Sequence, residues 1–140
     1  MDFYYAEYVN NAVLMDQARE VLHYVRQKYK TGLITNGKNL VQHGKIDQLA
    51  IRDAFDFIIV SEEAGVKKPD PLIFEMALER LQLSAEECIY VGDHPVNDIE
   101  ASASVGMNPI WIKVNQPWRD HITAKPIHEI ERLSELLGII

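Results

Sequence analysis

The sequence predicts an α/β protein, with a three-layer Rossmann-like parallel sheet that carries helices on both faces. Short apolar runs of strand length alternate with amphipathic helical patterns, which favours crossover connections and a sheet buried on both sides. Three of the four predicted strands end in polar residues, at Thr35-Asn36, Ser61 and Asp93. Because ligands of such sheets bind beyond the carboxyl ends of the strands, we expect a functional site there.

The individual elements follow from hydrophobic spacing and from helix-start and helix-stop residues. Short apolar runs predict four buried strands, over Thr31–Thr35, Phe57–Val60, Cys88–Val91 and Pro109–Val114. Helical spacing predicts five helices: from about Tyr8 to Tyr29, from Leu40 to Leu49, from Asp70-Pro71 onward, after Asp93 to about Val105, and from Ile127 to Leu137. Asp70 is expected to cap its helix, with Pro71 at the first helical position.

Composition limits the classes of function. The chain has 140 residues, 47% hydrophobic and 25% charged, which suits one globular domain. Its net charge of -7 disfavours nucleic acid and anionic membrane surfaces as partners. The single cysteine, Cys88, cannot form an internal disulfide. The sequence has no signal-peptide pattern and no apolar run long enough to span a bilayer, and we therefore expect a cytoplasmic protein.

Thr35-Asn36-Gly37 is the first candidate binding segment. It places a hydroxyl, an amide and a flexible backbone at one strand end, and such a loop can donate several hydrogen bonds to a phosphoryl oxygen. Asn-Gly is also a common turn dipeptide, so ordinary turn chemistry is the alternative interpretation.

Lys67-Lys68-Pro69-Asp70-Pro71 is the second candidate, because it offers cations just ahead of a helix start. A lysine there can neutralise a bound phosphate and a neighbouring carboxylate. Asp70 and Pro71 need no functional role, because both are typical of a helix start. Lys67 needs none either, because it is expected to be exposed to solvent. Lys68 alone remains a candidate for a functional role.

Gly92-Asp93-His94-Pro95-Val96-Asn97-Asp98 is the most informative segment. Two carboxylates in one loop after a buried strand form an oxygen-rich site suited to Mg²⁺. A capping role for Asp93 in the following helix would explain one acid but not the pair. His94 is weak evidence for function, since it stands alone.

Taken in order, Gly32–Gly37, Val66–Phe74 and Tyr90–Ile99 resemble the motifs of the haloacid dehalogenase (HAD) superfamily, and most closely its members with a helical cap inserted after the first strand. The resemblance runs from about Ala18 to the C-terminus. It implies a hydrolase, most often a Mg²⁺-dependent phosphatase, although dehalogenase members keep similar later motifs.

The resemblance also implies a role for each matched position. Thr35 would bind the phosphoryl group through its hydroxyl, assisted by the Asn36 backbone, and Lys68 would stabilise the charge of phosphate and nucleophile. Asp93 would ligate Mg²⁺ directly. Asp98, with Asn97, would hold the metal shell or support Lys68 from behind.

The sequence departs from the family at the nucleophile. Family members attack phosphorus with the first aspartate of an Asp-x-Asp-x-Thr motif, whereas the only aspartates ahead of Thr35 are Asp2 and Asp16, neither in such a motif. Residues 1–17 resemble the last helix of a cap. We therefore expect a cap remnant over 1–17 and a HAD-like core over 18–140 that lacks its first strand, with the nucleophile strand upstream of Met1.

These observations predict a HAD-like hydrolase of a small phosphorylated metabolite that is inactive as this chain alone. The alternative is a non-catalytic binding or regulatory module derived from such an enzyme. Mg²⁺ should bind weakly, and Lys68 should pair with Asp93 or Asp98.

Without a central strand the sheet would have two unpaired inner edges, which favours a homo-oligomer or a fragment of a longer chain over a monomer. The gap could be filled in three ways: the two edges could pair directly, the Phe3–Ala6 segment could insert, or a second copy could donate a strand.

Overall fold

The computed structural model describes residues 2–5, 12–113 and 117–140. In these residues six strands form one sheet in the order β3-β2-β1-β4-β5-β6, and all neighbouring strands are parallel. The strands are β1 (Asp2–Tyr5), β2 (Gly32–Thr35), β3 (Phe57–Val60), β4 (Cys88–Gly92), β5 (Asn108–Ile112) and β6 (His128–Ile130). The predicted fold class is confirmed.

The connections between the strands are mainly helical. The α-helices are α1 (Ala12–Arg26), α2 (Asn39–Gln48), α3 (Ser61–Ala64), α4 (Pro71–Leu81) and α5 (Ala101–Ser104), and a π-helix, Pro95–Glu100, leads into α5. Within the described residues, three short 3-10 helices span Arg52–Ala54, Ala85–Glu87 and Leu133–Gly138. Among these described segments, no helix has the length and apolarity needed to cross a membrane.

Alternation of side chains along the strands creates one hydrophobic core on each face of the sheet. Leu33 and Val91 pack on the side of α1 and the Leu133–Gly138 turn, whereas Ile34 and Tyr90 pack on the side of α4. Successive strand residues point to opposite faces, so fully apolar strands such as β2 serve both layers. This arrangement leaves the carboxyl ends of the strands as the open edge where polar loops meet.

β1 occupies the centre of the sheet, between β2 and β4. Its residues pair with β4 along the whole strand, from Asp2 opposite Cys88 to Tyr5 opposite Val91, and Tyr5 also pairs with Leu33 of β2. Of the three ways to fill the gap between the inner edges of β2 and β4, insertion of the N-terminal segment is the one observed. The particular argument for an oligomer that rested on those edges no longer applies.

The boundary predicted between a cap remnant and the core falls inside helix α1. α1 runs continuously across residues 17 and 18, where we expected a cap remnant to meet the core. Tyr8, the predicted start of this helix, lies outside the described residues. The origin of residues 1–17 in a cap remains a prediction.

The end of the chain also differs from expectation. Instead of one amphipathic helix from Ile127 to Leu137, the chain forms edge strand β6 and then the short 3-10 helix Leu133–Gly138. The predicted start of α4 is confirmed: the Asp70 carboxylate accepts a hydrogen bond from the Leu72 N–H at 2.9 Å and caps the helix. The strand predicted over Pro109–Val114 begins one residue earlier, as β5, and Val114 lies outside the described residues. Gly106 lies two residues beyond the end of α5 and has a φ of 94°, a left-handed conformation that suits glycine.

Candidate active site

The candidate residues lie at the carboxyl ends of β2 and β4, the two neighbours of the central strand. Thr35 is the last residue of β2, Asp93 directly follows β4, and Lys68 lies in the connection from α3 to α4. Asp98 is part of the π-helix. Their exposed fractions are only 2% for Thr35, 3% for each aspartate and 7% for Lys68. Such deep burial of polar side chains requires partners or a function.

Lys68 and Asp98 form a buried ion pair. The Lys68 ammonium lies 2.7 Å from Asp98 Oδ1. The Tyr90 hydroxyl donates to the same oxygen at 3.3 Å, and the His94 backbone N–H donates to Oδ2 at 3.0 Å. The predicted pairing of Lys68 with one of the two acids is thus confirmed for Asp98. Both carboxylate oxygens are engaged, so the ammonium is held in one place.

Asn36 connects the end of β2 to the Lys68 loop. Its side-chain amide donates to the Lys68 carbonyl at 3.0 Å, and its Oδ1 accepts from the Lys68 N–H at 2.9 Å. This two-point contact fixes the backbone from which the Lys68 side chain extends. The Asn36 side chain therefore positions Lys68, and the phosphate contact expected of Asn36 concerns its backbone.

Gln42 of α2 is a site residue that sequence reasoning missed. It is 8% exposed, and its amide nitrogen donates to Thr35 Oγ1 at 2.5 Å and to the Asn36 carbonyl at 3.1 Å. A signal was present in the sequence: Gln42 stands one helical turn before Ile46, on the buried face of the predicted helix. A polar residue on that face indicates a partner inside the protein.

Gly92 is required by the close approach of Asp98. A Cβ atom at Gly92 would lie 2.4 to 2.6 Å from the Cβ, Cγ and Oδ2 atoms of Asp98, well inside van der Waals contact. The next residue, Asp93, accepts a hydrogen bond on its carbonyl from Trp111 Nε1 at 2.9 Å. The chain can thus turn tightly after β4, and Asp98 of the π-helix packs directly against Gly92.

His94 caps the π-helix. Its Nδ1 accepts hydrogen bonds from the N–H groups of Val96 and Asn97 at 3.2 and 3.0 Å. Burial lowers the pKa of His94 because it penalises the charged imidazolium, although the Asp98 carboxylate acts in the opposite direction. A neutral ring suits a nitrogen that accepts hydrogen bonds. The capping role proposed as an alternative for Asp93 is wrong, since His94 has it.

The described residues do not make a complete Mg²⁺ site. In that part of the chain no three His, Cys, Asp or Glu residues come together in a group that could hold a metal ion. Asp98, one of the two predicted ligands, already binds Lys68, Tyr90 and the His94 N–H through its two oxygens. Asp93 is the second buried acid, and one carboxylate alone is a weak anchor for Mg²⁺.

The chemistry available at this edge is that of an oxyanion site. The Thr35 hydroxyl ends β2, the buried Asp93 carboxylate directly follows β4, and the Lys68 ammonium comes from the loop between α3 and α4. An ammonium has three N–H donors, and Asp98 uses one, which leaves donors that can meet phosphoryl oxygens. The described residues include no Asp-x-Asp pair that could supply nucleophile and general acid.

The model of the family described as haloacid dehalogenase-like hydrolase matches residues 1–112, and the chain belongs to that family. The resemblance inferred from the three motifs is confirmed.

Relatives within the family include named phosphatases. The glyceraldehyde 3-phosphate phosphatase of Pyrococcus abyssi is 38% identical over 126 residues, which cover 88% of this chain and 53% of the relative. The ribulose-1,5-bisphosphate 5-phosphatase of Halopiger xanaduensis is 30% identical over 147 residues, covering 99% of this chain and 62% of the relative. The chain spans about half the length of the P. abyssi relative and somewhat more of the other.

Solved structures share the same core. YfnB from Bacillus subtilis, in a magnesium-bound HAD-hydrolase structure, superposes with a TM-score of 0.79 at 28% identity. The alignment covers 89% of this chain and 54% of YfnB. The magnesium belongs to YfnB, and the fold is what the two proteins share.

Proposed function

We propose that this chain is the phosphate-binding core of a HAD phosphatase that acts on a small phosphorylated metabolite. The observation that carries the proposal is the Lys68 ammonium at the strand edge where Thr35 ends β2. Asp98 holds the ammonium directly, and the Lys68 backbone exchanges two hydrogen bonds with the Asn36 side chain. Two relatives are phosphatases of phosphorylated sugars by name, which supports the substrate class.

Each side chain has a defined part in this proposal. The Thr35 hydroxyl and the Lys68 ammonium bind phosphoryl oxygens, and the positive charge of Lys68 offsets the charge of the bound anion. Asp93 is the residue that would anchor Mg²⁺, weakly in this chain, and Asp98 holds Lys68. The net charge of -7 makes the fixed cation the feature that draws an anion to this edge.

The chain by itself is proposed to be inactive. It contains no Asp-x-Asp-x-Thr motif, so the covalent route through an aspartyl-phosphate has no nucleophile. An in-frame motif of this kind in the coding sequence upstream of Met1 would identify the chain as part of a complete enzyme. We further propose a cytoplasmic location and a small-molecule ligand rather than nucleic acid or a membrane.

A non-catalytic binding module is the second candidate function. The absence of the nucleophile motif from the sequence favours it, because the phosphate-binding groups are otherwise present. The two functions differ in turnover, whereas both require phosphate binding.

Phosphate binding is tested by titrating the isotope-labelled 140-residue chain with inorganic phosphate at constant ionic strength and following the backbone amide signals of Gly37, Lys68 and Asp93. We expect saturable shifts and weak binding, with a Kd of roughly 1 mM. Thr35→Val should weaken binding about fivefold, the effect of losing one hydrogen bond. Thr123→Val makes the same chemical change at an exposed position and should leave the affinity unchanged.

Turnover is tested on the same preparation with p-nitrophenyl phosphate and Mg²⁺. No activity above background is expected. Hydrolysis that disappears in Asp93→Asn would show that the chain is an enzyme alone and would contradict the proposed inactivity. No phosphate-dependent shift at these amides would contradict both candidate functions.

A further inference from the structure

Gln42 has an unusual combination of contacts for a residue outside the three family motifs. Its amide nitrogen reaches both Thr35 Oγ1 and the Asn36 carbonyl oxygen, at 2.5 and 3.1 Å. Its side-chain stem lies over Gly37, where an added Cβ would come within 2.7 Å of Gln42 Cγ. Gly37 also has a φ of 150°. Contacts with Thr35, Asn36 and Gly37 therefore hold the Gln42 side chain against the carboxyl end of β2.

The contact with Asn36 fixes which end of the Gln42 amide faces the site. A backbone carbonyl can only accept, so the group that faces the Asn36 oxygen must be the NH₂ of Gln42 and not its oxygen. The same NH₂ group faces Thr35. Thr35 Oγ1 must therefore accept a hydrogen bond from Gln42, because an NH₂ group has no lone pair for the hydroxyl proton.

This contact determines what the Thr35 hydroxyl can do. A hydroxyl has one proton to donate, and Thr35 does not give its proton to Gln42. We propose that Gln42 is a positioning residue that directs the Thr35 hydroxyl proton toward the bound phosphoryl group. The inference rests on the proposed function, since it assigns the proton to a phosphoryl oxygen.

The proposal differs from a purely structural role in one measurable respect. If Gln42 acts through Thr35, removing the amide should matter only while the Thr35 hydroxyl is present. A double-mutant cycle measures this dependence. Gln42→Met keeps the length and removes the N–H donors, and Gln48→Met makes the same change at an exposed position of α2.

We expect Gln42→Met to weaken inorganic phosphate binding by the 140-residue chain about fivefold, similar to Thr35→Val. The double variant should bind no more weakly than Thr35→Val alone, and Gln48→Met should bind like the unmodified chain. If Gln42→Met and Thr35→Val weaken phosphate binding independently, so that their fold-losses multiply in the double variant, the proposal is overturned. Gln42→Glu provides a second test if Gln42→Met is poorly folded: its carboxylate accepts the Thr35 proton, so binding should fall further than in Gln42→Met.

A phosphate-independent measurement separates this inference from the proposed function. In phosphate-free buffer the Gln42 side-chain amide protons should exchange more slowly than those of Gln48, and Thr35→Val should shift the Gln42 signals. If these signals respond while the chain binds no phosphate, the proposed function fails and the Gln42–Thr35 contact stands. If the Gln42 amide exchanges as fast as Gln48 and ignores Thr35→Val, the positioning role is overturned.

Discussion

Asp98 receives hydrogen-bond donors from three separate parts of the chain: the Lys68 side chain, the Tyr90 hydroxyl of β4 and the His94 backbone. The Lys68 ammonium also lies 5.9 Å from the centroid of the Tyr90 ring, which itself packs edge-on against Phe74. A charge buried this deeply is tolerated because its pairing and hydrogen bonds are nearly complete. The site and the core on the α4 side are therefore parts of one packed structure.

Asp98→Asn should destabilise the protein strongly, because it leaves the buried Lys68 ammonium without a counter-charge. We expect a loss of about 3 kcal/mol in the free energy of unfolding, measured by urea denaturation. Asp47→Asn is the control: it removes the exposed ion pair with Arg52 and should have no measurable effect. Lys68→Met combined with Asp98→Leu should be more stable than Asp98→Asn. Equal stability of Asp98→Asn and the unmodified chain would contradict the importance of the pair.

Single residues differ in how far the sequence reveals their roles. The positions of Thr35, Lys68, Asp93 and Asp98 at the carboxyl edge of the sheet could be predicted, because each stands at a strand end or in a loop with a recognisable order. The role of Tyr90 could not, since an aromatic residue inside a fully buried strand looks the same whether or not its hydroxyl has a partner. Its hydrogen bond to Asp98 depends on the return of the chain through the π-helix, which no local pattern specifies.

At the scale of elements, Asp56 joins α1 to the turns that precede β2 and β3. Its carboxylate lies 2.5 Å from Arg26 Nη1 and accepts the Thr31 N–H at 2.8 Å. Burial by itself raises the pKa of Asp56, but the hydrogen bonds from Arg26 and Thr31 outweigh it, so the pKa is lowered overall. The carboxylate form is thus favoured in the folded state.

This lowered pKa predicts acid sensitivity. The unfolded chain binds a proton at Asp56 near the usual carboxyl pKa of about 4, and the folded chain only at lower pH. The stabilisation is therefore complete above about pH 4 and is lost as pH falls through the folded pKa. The unfolding free energy of Asp56→Asn should decline less than that of the unmodified chain over this range. Parallel declines in urea titrations from about pH 5 to about pH 2 would show that Asp56 makes no such contribution.

Gly44 lies in the middle of α2 and is exposed, and a Cβ atom placed on it would have no other atom within 4 Å. Gly44→Ala should therefore raise the unfolding free energy by about 1 kcal/mol, since alanine loses less backbone freedom on folding and nothing obstructs it. Gly92→Ala is the opposite case, because its Cβ would meet Asp98. A lower urea midpoint for Gly44→Ala would show that α2 does not have the helical backbone described above.

The C-terminal segment shows why the prediction of one helix from Ile127 to Leu137 was wrong. Ile130, Leu133 and Leu136 are buried and stand three residues apart. Such a period fits a 3-10 helix with its three residues per turn as well as a short α-helix. The choice of β6 over a longer helix depends on the free edge of β5, where Ile110, Trp111 and Ile112 offer backbone partners. That edge is a property of the assembled sheet.

For the whole molecule, β1 is the element on which both halves of the sheet depend. It joins the β3-β2 pair to the β4-β5-β6 group, yet it has only four residues, Asp2–Tyr5. Aromatic residues such as Phe3, Tyr4 and Tyr5 favour strands, but a run this short has no periodicity that identifies it. Its position is decided by the unpaired backbone of β2 and β4, through contacts that are distant in sequence.

Tyr4→Pro tests this central position. Proline has no N–H and suits only edge strands or strand ends, whereas Tyr4 lies inside β1, opposite Tyr90 of β4. Each buried backbone group left without a partner costs about 1–3 kcal/mol, a large part of the roughly 5–15 kcal/mol that stabilises a domain. We expect the urea midpoint of Tyr4→Pro to fall sharply, and light scattering to detect association through the exposed edges. His128→Pro is the matched control, because His128 is the first residue of edge strand β6 and should tolerate proline. If both variants unfold at the same urea concentration as the unmodified chain and remain monodisperse, β1 does not hold the two halves of the sheet together.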